Sequence, residues 1–298
     1  MNKLALIAGV LLLVAALLPA QATAALERAD ALHEEGAHEQ ARSVLEEALG
    51  KARSGPEKAE VLWRLARAWL NIGEKAAEGG ARTDEVLSFF EKGEALAVEA
   101  ARADANSHLA FYWQSANIGK WGQTKGIMNA LAKARPMRDL LQQALRLNPD
   151  HADSYYVLGQ LYEQVPGFPI SFGNKEYAVS LGRKSVDLRE AQVRAGREKQ
   201  LVYDYYTELA KHLWARNWNS GRRSREQGKM AAAYNSASDA MEKNFYYEGT
   251  VALKRVSDRE DALEILTRTV RELESLVRRT AGQEDDLKEA RELLASWK

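Results

Sequence analysis

Cysteine is absent from the 298 residues. That excludes disulfides, thiol nucleophiles and cysteine-bound zinc, and it removes the residue on which a bacterial lipid anchor is built. Proline is scarce, at six residues, while Ala, Leu, Glu, Arg and Lys abound; both features favour helix throughout. Neither sign of charge is in excess. The 42 Lys and Arg stand against 42 Asp and Glu, so no net field draws the chain to nucleic acid or to an anionic membrane. The long uncharged run, Leu4 to Ala20, follows Lys3 and precedes Ala20-Gln21-Ala22 and Ala22-Thr23-Ala24. Both triplets fit the small-x-small pattern of a cleavage site, and the run is short for a membrane span. Residues 1–24 therefore read as a signal peptide, with an uncleaved anchor as the alternative. The expected location is periplasmic or secreted, without a lipid.

What is present is a helical repeat. Residues 144–162 read ALRLNPDHADSYYVLGQLY. Pro149 ends one helix, because its ring nitrogen has no N–H to donate. Tyr155, Leu158 and Tyr162 then form one stripe of the next helix, with Gly159 where a neighbouring helix comes close. This is the first-helix signature W-x2-L-G-x2-Y of a tetratricopeptide (TPR) repeat, with Tyr in the Trp slot. The spacing predicts an all-α, TPR-like α-solenoid of about six helix pairs over 25–298, ending in a capping helix from Asp285.

The units best matched are 25–56 and 105–190. In the first, Ala29, Leu32, Gly36, Ala41, Leu45 and Ala48 take the expected slots. The second unit spans about 57–104. The third carries a long insert, Gly119 to Arg135, before a second helix at Pro136–Leu147. The fourth carries VPGFPISFGN at 165–174. The fifth is expected to pair a helix holding Tyr203, Tyr206, Ala210 and Leu213 with a second helix over 226–242. A sixth would pair Tyr246, Thr250 and Leu253 with Ala262, Leu266 and Thr269.

Residues 111–189 hold an ordered set: FYWQSANIGKWGQTKGIMNAL, then the TPR junction, then FPISFGNKEYAVSLGRKSVDL. This set resembles the T-component proteins associated with TRAP transporters and the related regulators of microtubule dynamics. Pro166-Gly167 and Phe172-Gly173-Asn174-Lys175 stand where those families have a P-x-GG-like loop, and Ala178 stands at the packing alanine after it. The resemblance implies a binding scaffold linked to TRAP-type solute uptake. Members of the T-component group are often lipoproteins, a feature this chain lacks.

Paired aromatics recur in successive first helices. In the TPR register the fifth helical position turns toward the concave surface. Those positions are Trp63, Trp113, Tyr156, Thr207 and Tyr247, with Asn117, Gln160 and Lys211 beside them. Trp63, Trp113, Asn117, Tyr156, Gln160, Lys211 and Tyr247 are the candidate groove; the competing reading buries the rings as core. The apolar insert offers a contact loop at Phe168, Phe172 and Asn174, or folds back on its own domain. Arg222, Arg223 and Arg225 form a basic cluster near Trp214 and Trp218, read either as an anion patch or as a solvated face. His33-Glu-Glu-Gly-Ala-His38 places its histidines five apart, where a zincin helix needs four. No catalytic set, cofactor motif or metal cluster follows from spacing.

The expected role is binding without catalysis: an exported adaptor that holds a solute-binding or envelope protein in an aromatic groove. A structural scaffold in envelope assembly and a carrier of a small apolar molecule are the alternatives. A homo-oligomer is compatible with the fold, and no nucleic-acid partner is expected.

Overall fold

The computed structural model describes residues 23–297; the expected signal segment lies outside them, except at residues 23 and 24. Among the described residues no helix is long and apolar enough to cross a membrane. The chain is all-α and divides into two compact units, Met1–Leu147 and Asn148–Lys298.

The first unit holds α1 (residues 23–34), α2 (His38–Leu49), α3 (Gly55–Glu78), α4 (Thr83–Ala103), α5 (His108–Lys125) and α6 (Ile127–Leu147). Each helix packs against the next as an antiparallel hairpin, and α5 also lies against α3, the stacking of first helices expected of TPR units. Turn chemistry sets the joints. Gly36 and Gly80 take positive φ, and the amides of Ala37 and Ala81 reach back to Leu32 and Ala76, which closes α1 and α3 with left-handed caps. Ser54 caps α3 by accepting from the Glu57 amide at 3.3 Å. Ala29, Leu45, Ala48, Val61 and Leu65 form the shared core of the first three helices.

The insert expected at Gly119–Arg135 is not a loop. Helices α5 and α6 continue through it, and Pro136 lies inside α6. The glycines that suggested a break are crossing points. A Cβ on Gly119 would meet Met137 Cε at 2.7 Å, and one on Gly122 would meet the Ala130 Cα at 2.9 Å. The hairpin is longer than a standard unit, and small residues let its arms touch.

The second unit opens with α7 (Ala152–Gln164) and α8 (Lys175–Arg194), then α9 (Tyr203–Arg216). After these come α10 (Ser220–Ser236), α11 (Ala240–Phe245), a 3-10 turn at Tyr247–Thr250, α12 (Asp258–Ser275) and α13 (Ala281–Ser296). Here the pairing differs from expectation. The second helix of the fifth pair is α12, which packs on α9; α10 packs instead on the 3-10 turn. Only Arg223 and Met230 of α10 are buried, whereas α12 supplies Ala262, Leu266, Thr269 and Leu273. An apolar stripe decides which helix joins the core. The stretch from α10 to the 3-10 turn is thus an insertion within a helix pair, and the segment expected to open a sixth unit is a turn followed by irregular chain. Capping boxes at Ser257/Glu260 and Thr280/Gln283 start the last two helices.

Six charged side chains fasten the insertion. Arg216 forms a fork with Asp258, both bonds 2.9 Å, and also pairs with Glu248. Arg183 reaches Glu248 at 2.9 Å and Asp261 at 2.8 Å; Arg223 reaches Asp261 at 2.7 Å. Three cations balance three anions out of water. Burial alone would raise the Glu248 carboxyl, but Arg183 and Arg216 outweigh it and hold its pKa at about 2.

Candidate functional site

The expected groove residues fall in both units. In the first unit Trp63 is 5% exposed, with Arg64 and Arg67 guanidinium carbons 4.1 and 5.3 Å from its ring centre. Those arginines also hold Asp30 of α1. Asn117 is fully buried, donating to the carbonyls of Trp113 (2.8 Å) and Ala66 (3.2 Å) and filling the notch at Gly93. Trp63 and Asn117 therefore hold α1, α3, α4 and α5 together rather than line a surface. Trp113 is half-buried against both neighbouring apolar clusters. Thr207, the fifth position of its unit, is buried as well.

In the second unit three of the expected residues come together. Tyr156, Gln160 and Glu163 share one face of α7; Asp204, Glu208, Lys211 and His212 share one face of α9; Asp286 and Glu289 are a turn apart on α13. The Tyr156 ring stacks on Tyr205 at 4.8 Å, its hydroxyl donates to Asp204, and Gln160 Nε2 donates to that hydroxyl at 2.9 Å. Lys211 bridges Glu208 (3.1 Å) and Glu289 (2.5 Å). His212 Nδ1 pairs with Glu163, and Glu208 Oε1 lies 3.9 Å from the same nitrogen.

On this face Glu163, Asp204, Glu208, Asp286 and Glu289 surround one lysine, Lys211. Burial raises the Asp204 carboxyl, and Glu208 adds to the rise. Burial, then Asp204, Glu289 and Asp285, push Asp286 up to about 7. Burial opposes the charge on Lys211, but Glu208 and Glu289 raise it above its ordinary value. Burial would raise Glu163, yet its hydrogen bond to His212 holds it low. The arrangement suits a cation. Sequence reasoning placed Tyr156, Gln160 and Lys211 here but missed Glu163, Asp204, Glu208 and His212. The available signal was the i, i+4, i+8 run of Asp204, Glu208 and His212.

Tyr247 belongs to another set: its hydroxyl donates to Asp187 at 2.8 Å, and Lys184 lies 4.6 Å from its ring centre.

The 165–174 loop divides by role. Its neck is closed by the amide of Asn174 on the Tyr162 carbonyl (2.7 Å) and that of Gly173 on Pro166 (3.0 Å). A Cβ at Gly173 would lie 1.9 Å from the Val165 carbonyl oxygen, so only glycine fits. Phe172 packs edge-on against Tyr162, and Asn174 caps α8 through the amides of Glu176 and Tyr177. Between these anchors Phe168 and Ile170 are 92% and 76% exposed.

The basic cluster separates in the same way. Arg223 is buried in the ion network, Arg222 lies over Trp218 at 4.5 Å and near Glu176, and Arg225 is exposed. His33 and His38 face each other with ring centres 5.3 Å apart; burial, then Arg67, lowers His33 to about 4. The first unit also contains a cleft of about 420 Å³ lined by Phe111, Ile118, Pro136 and Leu140 together with Glu94, Gln114, Lys133, Asp139 and Gln143.

The fold and these surfaces define a TPR-like helical-repeat protein. Residues 25–168 match the family profile described as Regulator of microtubule dynamics protein 1-3. The chain is 32% identical over 136 residues to bovine Regulator of microtubule dynamics protein 1, covering 45% of this chain and 40% of the relative. It is 24% identical over 208 residues to bovine Regulator of microtubule dynamics protein 3, covering 65% and 42%. The chain thus spans less than half the length of these relatives. Among solved structures it is similar to the thermophilic TPR protein TTC0263 of Thermus thermophilus, with TM-score 0.49 and 15% identity over 78% of this chain and all of that one. It is also similar to MamA, with TM-score 0.41 and 15% identity over 82% and 96%.

Proposed function

We propose that the chain is an exported, non-catalytic adaptor that docks a protein partner through the tip of the 165–174 loop. The observation that carries this reading is the exposed pair Phe168 and Ile170 on a loop whose neck is closed. Two large apolar side chains in water on a preorganised turn lose little conformational entropy when they enter a partner's pocket. The export half rests on the signal pattern of residues 1–24. The loop resemblance to T-component proteins makes a periplasmic solute-binding protein the first partner to seek, with an envelope-assembly protein as the alternative.

The test is affinity capture from native cells with the tagged full chain and with a Phe168→Asp, Ile170→Asp variant. The wild-type chain is expected to recover a periplasmic partner that the variant loses, with the helical circular dichroism of both unchanged. Equal recovery by both would remove the loop from the reading.

A second reading, a carrier of a small apolar molecule, is favoured by the cleft at Phe111, Ile118, Pro136 and Leu140. Solvent extraction of protein purified from the native host, followed by mass spectrometry, separates the two. A carrier yields one apolar species in stoichiometric amount.

A further inference from the structure

The acid-rich face contains a smaller set with a chemistry of its own. Glu163 on α7, together with Glu208 and His212 on α9, brings three ligand-type atoms within 4.8 Å of one another. The i, i+4 spacing of Glu208 and His212 puts both on one face of their helix, and Glu163 enters from the facing helix. Metal sites in helical proteins are commonly built in this way.

The histidine is fixed independently of the acids. His212 is 1% exposed and wedged at a glycine crossing: a Cβ on Gly159 would meet its Nε2 at 3.0 Å, and one on Gly182 its Cδ2 at 2.9 Å. Both glycines are thus required by the imidazole as well as by the approach of the helices. Nε2 has no hydrogen-bond partner. The ring therefore has one polar edge in use, Nδ1, and that edge is turned toward two carboxylates.

A plain Glu–His hydrogen bond needs one of them. Here a second, Glu208, is 4% exposed and brings Oε1 to 3.9 Å from the same nitrogen, while Lys211 takes its Oε2 at 3.1 Å. Two carboxylates, Glu208 buried and Glu163 half-buried, converge on one ring nitrogen, and a cation between them would relieve their repulsion.

We infer that Glu163, Glu208 and His212 form a binding site for a divalent cation of the zinc class. One imidazole nitrogen and two carboxylate oxygens are ligands this ion accepts, and three protein ligands leave a position open to water. Ligand atoms of a tetrahedral zinc site lie roughly 3.4 Å apart, given metal–ligand bonds of about 2.1 Å. The 3.9 Å between Glu208 and His212 is close to that value, whereas Glu163 and His212, now in direct hydrogen-bond contact, must separate to admit the ion.

The test uses the full chain, stripped with chelator and dialysed against zinc chloride, with bound metal measured by mass spectrometry. Wild-type protein is expected to retain one zinc per chain, to melt at a higher temperature with zinc, and to give a visible cobalt absorption band when cobalt replaces it. The isosteric variants Glu163→Gln and Glu208→Gln are each expected to bind at least about tenfold more weakly. Failure of the wild-type chain to retain zinc overturns the proposal whether or not a variant folds. So does stoichiometric zinc that survives both glutamine variants, or that is lost in His33→Asn, which would place the ion at the His33–His38 pair.

Discussion

At the scale of single residues, the buried ion network is the most sensitive point of the second unit. Arg216 is nearly enclosed and touches both Glu248 and Asp258. Replacing it by Met leaves two carboxylates without their main partner, and a stability loss of about 3–5 kcal/mol is expected in urea unfolding. The network also predicts an acid limb. The folded pKa of Glu248, about 2, lies below its ordinary 4.5, so its contribution is complete above that ordinary value and fades as pH falls toward 2. A Glu248→Gln variant should be less stable near neutrality and should show a flatter acid limb. Asp286 has the opposite sign. Its folded pKa of about 7 stands above the ordinary 3.8, so ionising it among Asp204, Asp285 and Glu289 removes stability as pH rises between those values. Asp286→Asn is expected to raise the melting temperature at pH 8 and to leave it unchanged near pH 4.

At the scale of elements, the glycines do two different jobs. Gly36 and Gly80 end helices at positive φ, which a turn-based reading anticipates. Gly119, Gly122, Gly159 and Gly182 lie inside helices, each with a neighbouring atom within 3.0 Å of where a Cβ would stand. The first two of these, followed by Pro136, made a continuous helical hairpin look like an insert. Gly159→Ala would push into the His212 ring, and thermal unfolding should register a loss of about 1–3 kcal/mol. The partner exchange between α10 and α12 has a similar origin. Both are helices by propensity, but only α12 presents a run of buried small and apolar residues to α9.

At the scale of the whole molecule, each unit has apolar clusters of its own. The core of Val179, Tyr206, Leu209, Leu213, Leu266 and Leu273 lies wholly in the second, and the clusters of Leu45, Leu62 and Phe90 wholly in the first. A fragment of residues 148–298 is therefore expected to unfold cooperatively on heating, as a chain with its own core does. A broad, non-cooperative melt would show that it depends on residues 1–147.

Helix content, the TPR-type stripe around Tyr155, Leu158, Gly159 and Tyr162, and the polar end of the chain could all be read from the residues. These are local or periodic properties, and each depends on neighbours within a turn or two of helix. Long-range contacts decided the rest. Asn117 became a buried clasp because α3 and α4 offered a carbonyl and a glycine notch, and Trp63 became core because Arg64 and Arg67 closed over it. Phe172 and Asn174 became anchors while Phe168 stayed in water, because the loop neck closes on Tyr162. Glu163 met Glu208 and His212 across 45 and 49 residues of sequence. Such juxtapositions leave no period in the chain; they exist only once apolar stripes have chosen which helices lie side by side.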